Sequence, residues 1–176
     1  MGFFWSQPDI LPPAETLQES LLQEEPELIF HAGDLLITSA SALEMVLNGD
    51  LWSKVAVIVH KDEQVWAFAN GVYEPVHQYL SNHPATTCRP LQCIRHMGFD
   101  KRVAEAAERT EDLLVGRADM PIQYREGFCA GTVLAIMGLV DLKTLSLHFD
   151  CLRPAHFAPG GTLDLNEYTT ESWNVH

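Results

Sequence analysis

The chain has 176 residues, 47% of them apolar and 20% charged, with a formal net charge of −13. That length and apolar content fit one globular domain with a real core and exclude a disordered chain. The acidity excludes a broad nucleic-acid surface and a simple electrostatic grip on anionic lipid, because both would be repelled.

Residues 1–13 read as an extended arm containing Pro8, Pro12 and Pro13, and Met1–Trp5 is apolar but far too short for a secretory signal. Gly2, with Ser6 at the right offset, fits the loose N-myristoylation pattern and would give a membrane contact. Bulky Phe3 suits that pattern poorly, and no basic cluster follows to supply a second membrane signal. The plainer expectation is an apolar arm packed on the protein's own surface or on a partner. Residues 14–25 predict an acidic helix with Leu17, Leu21 and Leu22 on one face, ended by Pro26.

Asp34–Thr38 follows the Ala32-Gly33 turn and predicts a strand. Residues 41–49 predict a short helix through Leu43, Val46 and Leu47, closed by Gly49. Val55–Val59 is a continuous β-branched run broken only by Ala56, the mark of a buried central strand. A turn at Lys61-Asp62-Glu63, a return strand over Gln64–Ala69 and the Asn70-Gly71 turn complete a hairpin meander. Val72–Leu80 then runs through Pro75 towards a helical turn, and Leu91–Ile94 predicts another strand. Residues 101–116 form the clearest helix, with Val103, Ala106, Ala107, Thr110, Leu113 and Leu114 on one stripe and Gly116 at its close. A connector, an apolar helix following Cys129 and a loop-rich tail from Leu142 end the chain. Close antiparallel strands followed by helices predict an α+β fold. No apolar run is long enough to span a bilayer.

Four cysteines, Cys88, Cys93, Cys129 and Cys151, fit free thiols in a reducing, intracellular compartment. Cys129 stands out. It lies in Arg125-Glu126-Gly127-Phe128-Cys129-Ala130-Gly131-Thr132, before the apolar run 133–140, and so reads as a cysteine at a helix N-terminus. Unpaired amides and the helix dipole would there stabilise a thiolate, the nucleophilic form. The competing reading is a small buried hydrophobe.

Three segments occur in order: Ala32-Gly33-Asp34-Leu35-Leu36-Ile37-Thr38, then Leu51-Trp52-Ser53-Lys54-Val55-Ala56-Val57-Ile58-Val59, then Gly127-Phe128-Cys129-Ala130-Gly131-Thr132-Val133-Leu134. Together they resemble the circularly permuted NlpC-type papain-like family, the YiiX-like proteins of bacteria with relatives in large DNA viruses. Gly71-Val72 with Pro75 and Leu80, and Arg153-Pro154-Ala155-His156-Phe157 with Leu163, are softer matches. The resemblance covers roughly residues 30–165, leaving 1–29 as arm and acidic helix and 166–176 as a tail. It implies a permuted papain-like fold, a small antiparallel sheet or half-barrel packed on helices. It also implies thiol chemistry at amide or ester carbonyls, with a cysteine that attacks, a histidine that manages its proton and a polar group that orients the histidine.

The family's histidine position holds Lys54. A lysine titrates near 10.4 and is charged at neutral pH, so it lowers a nearby thiol's pKa but is a poor general base. The orienting position is also lost, because Ala67-Phe68-Ala69-Asn70 stands where a Glu-Ala pair is expected. His60 shares a strand face with Lys54 but lies about 20 Å further along. His77, His96, His148 and His156 have no spacing that nominates them, and His156 is the first to check. His83, Cys88, Cys93 and His96 have zinc-type residues without zinc-type spacing. No cofactor or metal is expected. Asp34 is expected to make turn hydrogen bonds at its strand start, and Trp52 to pack beside the cleft.

Two readings stand. One is a catalytically degenerate domain that keeps Cys129 but not the dyad. It would serve as a structural, binding or assembly component with protein partners at its arm or tail, and a virion fits the viral branch of the resemblance. The other is a working thiol hydrolase or acyltransferase with Cys129 as nucleophile, Lys54 as electrostatic activator and helix-terminal amides as the oxyanion site.

Overall fold

The computed structural model describes residues 29–93, 95–140, 151–161, 163 and 173–174. The arm with Gly2, the acidic helix over 14–25, Ile94, His148 and most of the tail lie outside the described residues.

The fold is α+β. In chain order the elements are β1 (Leu35–Ser39), α1 (Ala42–Asn48), β2 (Trp52–Lys61), β3 (Gln64–Ala69), β4 (Val72–Pro75), α2 (Val76–Asn82), β5 (Thr86–Arg89), α3 (Phe99–Val115), α4 (Ile122–Ile136), α5 (Pro154–Phe157) and β6 (Trp173–Asn174). The strands form one antiparallel sheet in the order β4-β3-β2-β1-β5-β6. Both expected hairpin turns are present: Asp62 and Glu63 have φ of 53° and 59°, Asn70 and Gly71 of 53° and 73°. That left-handed pair is the tight turn that matches strand twist.

Alternation along β1 and β2 sends side chains into two cores. Leu35, Ile37, Val55, Val57 and Val59 meet Val103, Ala106 and Ala107 of α3 and Phe128, Cys129 and Val133 of α4. Leu36, Ala56 and Ile58 face the other way, against Phe30, Tyr79 of α2 and Cys88. Residues 55–59 are all fully buried, as a central strand covered on both faces must be.

Two elements depart from the sequence expectation. Among the described residues of Leu91–Ile94 no extended strand forms: Leu91 makes a single bridge, and its N–H donates to Asp34 Oδ1 at 2.9 Å. The strand is the preceding Thr86–Arg89. The helix expected to follow Cys129 begins seven residues earlier, at Ile122, behind Pro121. Among the described residues no helix is long and apolar enough to cross a membrane.

Helix α4 lies hard against the segment that follows Cys151. A Cβ on Gly127 would strike the backbone carbonyl of Leu152 and reach its Cβ at 3.0 Å. Backbone cannot swing aside as a flexible side chain can. Gly127→Ala is therefore expected to destabilise the fold by about 1–3 kcal/mol, read as a lower midpoint in urea unfolding at unchanged slope. An unchanged midpoint would mean that α4 does not press on Leu152.

Candidate functional site

Lys54 sits where the sheet begins to open. β1 and β2 pair regularly up to Thr38↔Lys54, and the register then shifts so that Ser39 faces Trp52. Such a bulge re-aims the side chains beside it. Trp52 packs against the helix-side core and lines the cleft described below.

Pairing of β2 with β3 begins at Val57↔Phe68, because β3 turns away at Asn70-Gly71. The Val55 N–H lies beyond that pairing and donates to Glu126 Oε2 of α4 at 3.2 Å. Lys54 Nζ lies 3.5 Å from Glu126 Oε1. One carboxylate thus ends the β2 ladder and neutralises Lys54. Burial holds the Glu126 carboxyl above its ordinary value, while Lys54 and the Val55 N–H pull it back down.

A cleft of about 640 Å³ opens over this junction. Lys54, Ser53, Glu126 and Asn70 line it, and across it stands a second ion pair, Arg153 to Asp50 at 2.8 Å. Arg153 also donates to the Tyr124 hydroxyl at 3.4 Å and lies over its ring.

Cys129 follows Glu126 by one helical turn but does not line the cleft. It is 0% exposed. The helix-terminal placement expected from the sequence is corrected: α4 runs Ile122–Ile136, so Cys129 lies two turns inside it. The amides around it belong to the helix ladder and form no helix-terminal oxyanion site, and the dipole's positive end is at Pro121. The thiol is pushed up to about 12, chiefly by burial and further by Glu126. The backbone N–H groups of Gly71 and Asn70, together with Arg125, oppose that shift and do not overcome it. Lys54 pairs with Glu126, on the same helix as Cys129.

The other nominated residues are structural. His60 donates from Nε2 to the Phe30 carbonyl at 2.9 Å, with Nδ1 3.2 Å from Asp100 at the start of α3. His156 accepts from the Arg153 N–H at 2.8 Å and caps α5. Asp34 is buried and accepts from the N–H groups of Leu91 and His31 and from Arg95, at 2.9, 3.0 and 3.1 Å. Cys88 lies in the core of one sheet face and Cys93 packs on that of the other, so the two do not converge on a metal.

Glu126 and the Asp50–Arg153 pair escape a reading of the sequence alone. Glu126 had a signal: it stands three residues before Cys129, which becomes one helix face once Pro121 is taken as the helix start. Asp50 and Arg153 are 103 positions apart, and no spacing rule joins them.

A scan against protein-family models finds no match to this chain, and no curated protein matches it. Among solved structures it is similar to the metalloprotein yiiX from Escherichia coli O157:H7, at 12% identity and a TM-score of 0.48. That likeness covers 79% of this chain and 94% of the other.

Lys54 holds the Glu126 carboxyl down against its burial. Lys54→Met is expected to move the Glu126 titration to higher pH, followed by carboxyl carbon NMR. The sign follows from the raised value: the proton-linked stability of Glu126 is present at low pH and is lost as pH rises through its folded-state value, which lies above 4.5. In Lys54→Met that loss shifts upward too. A downward or absent shift would mean that the ion pair is not formed in solution.

Proposed function

We propose that this chain is a catalytically degenerate, circularly permuted papain-like domain that works by binding, as a structural or assembly component. The permuted order is supported by where the three motif segments fall. The Gly-Asp-Leu segment leads into β1, the Trp-Ser-Lys-Val segment opens β2, and the Phe-Cys segment lies on α4, which packs on β2 and β3.

The observation that carries the reading is the sealed thiol. Cys129 is 0% exposed and stands apart from the cleft. Burial pushes its pKa up to about 12, which keeps it a thiol at neutral pH. The basic residue that should serve it is held 3.5 Å from Glu126 instead. The cleft, with both of its ion pairs, is the surface left to recognise a ligand.

One observation favours the thiol hydrolase as a second reading. The backbone amides of Asn70 and Gly71 lower the thiol's pKa against its burial, and Asn70 also lines the cleft. An outward movement of that turn would bring the thiol to solvent.

Native alkylation with iodoacetamide from about pH 6 to pH 9 separates the readings. Cys151, exposed, should label first, while Cys129 and Cys88 should stay unlabelled until the protein unfolds. Peptide mapping assigns the sites. Labelling of Cys129 ahead of Cys151 at neutral or lower pH would overturn the degenerate reading and restore the hydrolase.

A further inference from the structure

Helix α1 has seven residues and none of them is buried. Its ends are well made. The Ser41 hydroxyl accepts from the Glu44 N–H at 3.2 Å, Glu44 accepts from the Ser41 N–H at 2.7 Å, and Gly49 closes the helix in the left-handed form with φ of 72°. Two turns of helix remain marginal in water unless an apolar face is buried. α1 has such a face, and it is bare. Leu43, Val46 and Leu47 follow the i, i+3, i+4 spacing of one stripe. Leu51 continues it past the helix, and Leu47 and Ile122 share the lining of the cleft. These five side chains are 68–82% exposed. Single exposed apolar residues are ordinary, whereas a run of them marks a contact surface.

We propose that residues 1–13 of the same chain cover this face, with Phe3, Phe4 and Trp5 as the anchors. Three considerations favour this occupant. Residues 1–8 carry no charged side chain while holding two phenylalanines and a tryptophan, which suits a face built from leucine, valine and isoleucine. A second copy would bring another −13 to the contact, and an anionic membrane would repel the chain in the same way. A segment tethered in cis meets its site at an effective concentration in the millimolar range.

The reach is sufficient. The described chain begins at Ile29, beside Phe30, whose carbonyl is bound by His60 near one end of β2. α1 precedes Trp52 at the other end. β2 is about 30 Å long. Residues 14–28, even with 14–25 helical, also span about 30 Å.

Hydrogen exchange with mass spectrometry tests the assignment, and it reads α1 rather than Cys129, so it stands or falls separately from the binding reading above. Three full-length chains are compared: the unaltered protein, Phe3→Ser/Phe4→Ser/Trp5→Ser, and Leu43→Ser/Val46→Ser/Leu47→Ser. The last alters only exposed side chains, so folding is not at stake. Residues 44–48 should exchange about tenfold faster or more in the arm variant than in the unaltered protein, and adding a synthetic peptide of residues 1–13 should restore protection. Residues 3–5 should lose protection in the α1 variant. Equal exchange at 44–48 in the unaltered and arm-variant chains would overturn the proposal. So would a dimer in sedimentation that survives the arm substitutions and dissociates in the α1 variant, which would assign the face to a second copy.

Discussion

Between Val55 and Val59 the chain commits every side chain to one of two cores, and much of the molecule is arranged around that commitment. A strand covered on both faces needs helices on one side and some other cover on the other. Here α3 and α4 supply the first, and α2 with Phe30 supplies the second. A helix can approach so full a surface only where its own surface is small. The run Gly127-Phe128-Cys129-Ala130-Gly131 is small apart from Phe128, which is itself fully buried in the helix-side core. Seen this way, Cys129 is one of the compact residues that let α4 lie close to the sheet.

Close packing leaves a debt where β3 departs at Asn70-Gly71. The Val55 N–H loses its neighbouring strand, and an unpaired buried amide is costly. Glu126 answers it with a carboxylate, the stronger kind of acceptor. A carboxylate in that position is itself disfavoured by burial, which is why its pKa rises, and Lys54 balances the charge. Each group meets the need created by the one before it. The strand–helix junction therefore holds Lys54 and Glu126 together, one turn of α4 before Cys129.

The fold was legible wherever a local signal was strong. The Val55–Val59 run, the Asn70-Gly71 turn, Gly49 as a helix stop and the stripe of Val103, Ala106, Ala107, Thr110 and Leu114 all lie where periodicity and turn chemistry put them, while Leu113, expected on that stripe, is exposed. The misses have physical causes. Leu91 pairs only as a single bridge, with its N–H taken by the buried Asp34 carboxylate, and the strand proper is the preceding Thr86–Arg89. Gly127 and Gly131 masked the first half of α4, because glycine argues against a helix interior unless a neighbour demands it, and the Leu152 carbonyl does. The candidate site was half legible. Cys129 and Lys54 stand out by residue type and by resemblance. The partner that decides Lys54's behaviour, Glu126, acts through a contact across 72 positions.

Lysine suits this junction better than histidine would. An imidazole is mostly neutral at physiological pH and carries its charge on a short, flat ring. It would leave the half-buried Glu126 carboxylate under-compensated whenever it gave up its proton. Lysine reaches the carboxylate on a flexible stem whose apolar length tolerates partial burial. Lys54 thus serves the α4–β2 contact by facing the Glu126 carboxylate at 3.5 Å. The fully buried sulfur of Cys129, pushed up to about 12 by that burial, packs with Phe128 and Val133 in the core between α4 and the sheet.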